Sequence, residues 1–257
     1  MSKQNDLTSE QISKVLNAAE ILIQLHKSGA LGGEVMPEDA NPALSKSTDE
    51  NYLYFTLPMA LNYQRNSYSL WESALKTYHD SETVDVFSPA AVMNMGVDVL
   101  REKLLKHKLA LQPTKHPQIW AQLCQTFMQR FNGSVKNFFA DCNHRVEIIK
   151  HDMNANKKQF PYLSGVKIMN YWLYVMEQYT DAVFLDRENI TVAPDTHVLQ
   201  ASVRLGLITQ EDIKYPNIRL MVSERWGVVC DEVSWLPIDI HTPLWLWSRG
   251  GFAIELG

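Results

Sequence analysis

Two segments of this chain carry residue types at spacings that suit chemistry on a polar bond. The first is FPYLSGVKIMNYWLYV, residues 160–175. Leu163-Ser164-Gly165-Val166 reads as a tight turn ahead of a helix. Its backbone amides would point outward, where the helix dipole favours a phosphate. Lys167 follows within the first helical turn. A cation there opposes the dipole, and the same field favours the neutral amine that nucleophilic attack requires. The plain alternative is an exposed lysine with no role. The second segment is TVAPDTHVLQASVRLGL, residues 191–207. Asp195 lies at the mouth of a helical pattern, placed to accept hydrogen bonds from the amide of Val198 or its neighbours. A carboxylate held in this way is rigid and ionised, which suits it to stabilise a developing cation or orient a water. A helix cap is the plain alternative.

The elements around these residues read mostly as helix. Residues 9–29 form an amphipathic helix with Ser9 as N-cap and Gly29 as stop. Residues 51–80 are dense in aromatics, with Pro58 beginning or kinking a helix. Residues 88–109 open with a Ser88 cap and Pro89 at the first helical position. Residues 115–131 and 134–152 predict two more helices, and another enters through Ser164-Gly165. Residues 181–195 form the one convincing extended stretch in that half. The expected fold class is mainly α, with a few short strands. Residues 1–257 form one unit with two lobes, 1–100 plus 210–257 and 101–209.

Bulk properties place the chain among soluble proteins. Its 257 residues are 46% hydrophobic and 21% charged, enough for a substantial core. No apolar run reaches the length that spans a bilayer, and the N-terminus lacks the pattern of a signal peptide. Cys124, Cys142 and Cys230 are scattered without metal-ligand spacing, which points to a reducing cytoplasm and no iron–sulfur cluster. No metal or cofactor is expected. The net charge of −5 argues against nucleic acid, but its distribution does not: residues 101–158 carry +7 and the rest −12. Such asymmetry fits one phosphate-facing surface, or equally a pair of solvated helix faces.

Taken together, the turn ending in Gly-Val, Lys167, a helix and an extended stretch, then Pro194-Asp195-Thr196-His197-Val198 and Arg204-Leu205-Gly206 resemble the helix-hairpin-helix DNA glycosylases. Their hairpin reads Leu-Pro-Gly-Val-Gly-x-Lys and their aspartate segment Val-Asp-Thr-His-Val. The resemblance spans roughly residues 120–210. The hairpin here is shorter and lacks the proline and the second glycine. Oxoguanine-type members, including the archaeal ones, share the absence of a four-cysteine cluster. The queuosine-nucleotide glycosylases, which act on a free nucleotide, are also similar.

The resemblance implies a base flipped out of duplex DNA into a pocket and released at C1′. It implies that Asp195 stabilises the oxocarbenium-like sugar and that Lys167 forms a Schiff base if strand cleavage follows. Ser164, Gly165, Val166, Lys157, Lys158 and His197 become candidate nucleic-acid contacts. Asn62, Tyr63, Arg65, Trp172, Asp239, His241 and Trp245 become candidates for the base pocket, with Asp239 a rival carboxylate. The base is open: an oxidised guanine, or a phage hypermodified base such as glucosylated hydroxymethylcytosine. A free-nucleotide glycosylase and a non-catalytic helix-hairpin-helix DNA-binding module are the alternatives.

Overall fold

The helices begin where side chains satisfy their first amides. Thr8, rather than Ser9, caps α1 (Ser9–Lys27): its hydroxyl accepts from the Gln11 amide while the Gln11 side chain accepts from the Thr8 amide. That reciprocal pair satisfies two amides at once, which a lone Ser9 does not. The computed structural model describes residues 7–32 and 35–256. The protein is mainly α, with twelve α-helices, five short 3-10 turns and no β-strand among the described residues. The expected short strands are therefore corrected. Residues 181–195 are irregular with one 3-10 turn, and their backbone makes isolated bonds, to the Lys46 and His144 carbonyls and to side chains, rather than a ladder.

Two compact units divide the chain, one of Met1–Glu34 with Arg187–Gly257 and one of Val35–Asp186. Their boundaries fall away from the expected lobe edges near 100 and 210. Lys167 belongs to the central unit and Asp195 to the terminal one.

The terminal unit contains α1, α10 (Thr196–Arg204), α11 (Ile218–Asp231) and α12 (His241–Arg249). Its core joins Val15, Ala19 and Leu22 of α1 to Val198, Ala201, Val222, Trp226, Leu244 and Trp247. The hydroxyl of Ser202 ties α10 to α11 by accepting from the Trp226 indole at 3.0 Å.

The central unit holds α2 (Asp49–Ala60), α3 (Ser67–His79), α4 (Pro89–Asn94), α5 (Val97–Lys106), α6 (Lys115–Phe131), α7 (Val135–Asp141), α8 (Val146–Ala155) and α9 (Val166–Tyr179). Helix α2 is buried over Asn51–Ala60 and packs against α9, α3, α6 and α7. Pro58 sits inside it; the roughly 3 kcal/mol that an interior proline costs is outweighed by several buried side chains worth about 1.5–3 kcal/mol each. Two expected helices are broken. Residues 88–109 split at Met95-Gly96, where the backbone turns extended and Gly96 becomes the start of α5. Residues 134–152 split where Asn143 and His144 take left-handed φ values of 52° and 54°. The aromatic core seats α9: Trp172 is fully buried, lies 5.3 Å from the Phe139 ring, and donates to Thr56 Oγ1 at 3.1 Å.

Candidate functional site

Asp195 is the N-cap of α10. Its Oδ1 accepts from the Val198 amide at 2.9 Å and its carbonyl from the Leu199 amide at 3.0 Å. Its own amide donates to the Ala193 carbonyl at 2.7 Å, closing a tight turn around Pro194. The side chain is half-buried, so the carboxylate is fixed without being sealed from solvent. The cap uses only Oδ1 of the carboxylate.

Three sequence candidates gather around this turn. His197 Nδ1 lies 3.2 Å from Ser248 Oγ and its ring meets Trp245 edge-on at 5.7 Å. The Arg249 guanidinium lies 4.9 Å above the Trp245 ring, a cation–π contact. His241 is buried, and its Nδ1 accepts from the Ala193 amide at 3.4 Å. Asp239, the rival carboxylate, is engaged by Arg187 at 2.8 Å. Among the described residues, no group of three or more His, Cys, Asp or Glu is placed to hold a metal ion.

In the central unit, residues 156–165 link α8 to α9. The expected outward amides of this turn require correction. The Leu163, Ser164 and Gly165 amides donate to the carbonyls of Pro161, Phe160 and Tyr162. The shortened loop folds as successive turns and pairs these donors internally, so only the first-turn amides from Val166 onward follow the usual pattern of an open helix end. Gly165 has a steric reason: a Cβ there would lie 3.2 Å from the Tyr162 carbonyl oxygen. Lys167 is the second residue of α9 and is half-buried. A second amine of interest is Lys150 of α8, which burial lowers to about 8 against the opposing charge of Asp186. Asp186 is 3% exposed and caps α8, accepting from the Val146 and Glu147 amides at 2.6 and 3.1 Å.

Tyr63 lies beside this loop. Its ring meets Tyr162 edge-on at 5.5 Å, and Lys115 donates to the Tyr162 hydroxyl at 3.1 Å from above the same ring. Other candidates lie elsewhere. Arg65 directs its guanidinium to the Lys108, Leu109 and Ser69 carbonyls. Trp172 is core, and Asn62 is buried just beyond α2.

Five of the eleven cations of the basic window face acids outside it. Lys103 pairs with Asp85, Lys106 with Asp80 and Glu82, Lys136 with Asp181, Arg101 with Asp98, and Arg145 approaches Asp186. Arg130 pairs with Asp152 inside it. Lys108, Lys115, Lys157 and Lys158 are exposed and make no ion pair among the described residues. Lys157 and Lys158 lie in the α8–α9 loop, and Lys115 is bound to it through Tyr162.

Sequence reasoning missed Glu38, which has no motif around it. Pro37-Glu38-Asp39 forms a 3-10 turn against α3. Glu38 is 2% exposed and accepts from the Tyr171 hydroxyl at 2.8 Å; Tyr171 follows Lys167 by four residues, on the same face of α9. Burial pushes the Glu38 carboxyl up to about 7 from its ordinary 4.5. The folded protein thus holds this proton more tightly than the unfolded chain. The resulting stability is complete below 4.5 and is lost as pH rises through about 7. Glu38→Gln should raise the thermal midpoint at about pH 8, by the equivalent of roughly 3 kcal/mol at most, and change it little near pH 4. Equal effects at both pH values in thermal unfolding would contradict this.

No known family pattern matches the chain, and no curated protein matches it in sequence.

Proposed function

We propose that the protein is an N-glycosylase of the helix-hairpin-helix type that flips a damaged or hypermodified base from duplex DNA and releases it, leaving an abasic site. The observation that carries this reading is the fixed Asp195 carboxylate at the N-cap of α10, within the Pro-Asp-Thr-His-Val segment that resembles the family's aspartate motif. As the glycosidic bond breaks, its electron pair leaves with the base and C1′ becomes cationic. Asp195 stabilises that charge. Water adds to C1′; the family resemblance alone supports the Lys167 amine as the alternative nucleophile, forming a Schiff base from which elimination nicks the strand.

The loop cations support a polymeric substrate, and a salt titration tests them. Replacing Lys115, Lys157 and Lys158 together by alanine should weaken duplex binding at every sequence. It should also flatten the dependence of log K on log salt by roughly 0.9 for each phosphate that is no longer neutralised. The neutralisation of most of the basic window favours a second reading, a glycosylase acting on a free modified nucleotide. An unchanged salt slope, together with hydrolysis of a modified nucleoside monophosphate, selects that second reading.

A further inference from the structure

We infer that Arg219 and His241 are positioning residues for the Asp195 carboxylate, an inference that rests on the glycosylase reading. The three residues before Asp195 each have a backbone group held by a side chain from outside the segment. Ser223 Oγ of α11 donates to the Val192 carbonyl at 3.2 Å. Nδ1 of His241, the first residue of α12, accepts from the Ala193 amide at 3.4 Å. The Arg219 guanidinium, from the second residue of α11, donates to the Pro194 carbonyl. Proline's fixed φ and the Asp195-to-Ala193 bond remove most of the remaining freedom.

This density of tethers is more than the helix start requires. A cap needs only the Asp195 side chain and an amide of α10, which are already paired. Arg219 also stands in the first turn of its own helix, where the dipole opposes a cation by about 0.3–1 kcal/mol. Placing it there is locally unfavourable, and its gain is the bond to the carbonyl next to Asp195. His241 must present an unprotonated Nδ1 to accept from Ala193, so its tautomer is set by the same segment. The three side chains come from helices α11 and α12, which share the core of the terminal unit with α10. The direction of the carboxylate is thereby referred to the rigid helices instead of to a loop.

The test uses the whole chain and two readouts. The first is hydrogen exchange at the Val198 amide, which reports the Asp195 cap without any substrate. Arg219→Ala should speed it about tenfold or more while leaving Ser202 as slow as in the wild type. The second is single-turnover base release on the modified duplex that the wild type processes. Arg219→Ala should lower the maximal rate about tenfold or more with KM within about twofold, since misplacement affects the transition state more than binding. Arg219→Lys, which keeps one donor, should recover part of both. His241→Asn, whose Oδ1 can take the place of Nδ1, should stay nearer the wild type than His241→Leu.

Unchanged Val198 exchange and unchanged rate in Arg219→Ala would overturn the inference. So would a rise in KM alone, which would make Arg219 a substrate contact. Full activity in Asp195→Asn defeats the glycosylase reading itself, whatever Arg219 does. An inactive Asp195→Asn beside a wild-type Arg219→Ala defeats only the positioning role.

Discussion

Asp195→Asn should lower base release about 100- to 1000-fold while the protein keeps its fold. Asparagine caps a helix about as well as aspartate, so its oxygen can keep the Val198 bond now made at 2.9 Å. What it removes is the negative charge that the proposed function places beside the sugar. Asp195→Ala removes both, and should add a stability loss of about 1 kcal/mol to the same catalytic defect. A residue that only capped α10 would give the opposite order, with Asn close to wild type and Ala weakened in proportion to its reduced stability. Rates of abasic-site formation, set beside thermal unfolding of the two variants, separate these cases. A carboxylate that is needed as a charge shows a split between rate and stability that a cap cannot produce.

The second large effect concerns Lys167. If the amine attacks C1′, Lys167→Ala should abolish strand nicking and the borohydride-trapped enzyme–DNA adduct, while slower base release by water persists. Lys167→Arg should behave the same way, because a guanidinium stays charged and cannot act as the nucleophile. Lys150 supplies the control: burial lowers its amine to about 8, which makes it the other candidate amine in the central unit. Lys150→Ala should keep the trapped adduct. An adduct that survives Lys167→Ala and disappears in Lys150→Ala would move the nucleophile to α8.

The helices that follow strong local signals were legible from the residues alone. Residues 115–131 emerge as α6 with the expected bounds, and Ser88 and Asp195 both cap where their spacing suggested. The breaks at Met95-Gly96 and at Asn143-His144 were not legible, since the apolar period continues through both and only the backbone conformation changes. The extended stretch before Asp195 shows the same limit from the other side. Its residue types suit a strand, but no strand pairs with it among the described residues, and side chains of α11 and α12 hold the backbone of Val192, Ala193 and Pro194 instead.

The site divides in a similar way. Asp195 and Lys167 stood out because a polar or charged residue at a helix start has a definite local meaning. Arg219, Ser223 and Glu38 did not, because their roles depend on segments distant in sequence. Arg65 and Trp172 looked like pocket residues by type, yet the fold uses them for a loop anchor and for core packing. Charge counting misled for a comparable reason. The +7 window is real in the chain, but folding sets six of its eleven cations against acids, and of the exposed cations without an ion pair three gather at the α8–α9 loop while Lys108 lies apart from it.

The most direct measurement is mass-spectrometric detection of the free base, with abasic sites counted in parallel. The panel comprises unmodified duplex, duplex carrying 8-oxoguanine, and duplex carrying glucosylated hydroxymethylcytosine. The wild-type protein should release the base from one modified duplex and leave a matching number of abasic sites, and Asp195→Asn should release it about 100- to 1000-fold more slowly. Equal release by Asp195→Asn, or no release from any duplex by a folded protein, would contradict the assignment.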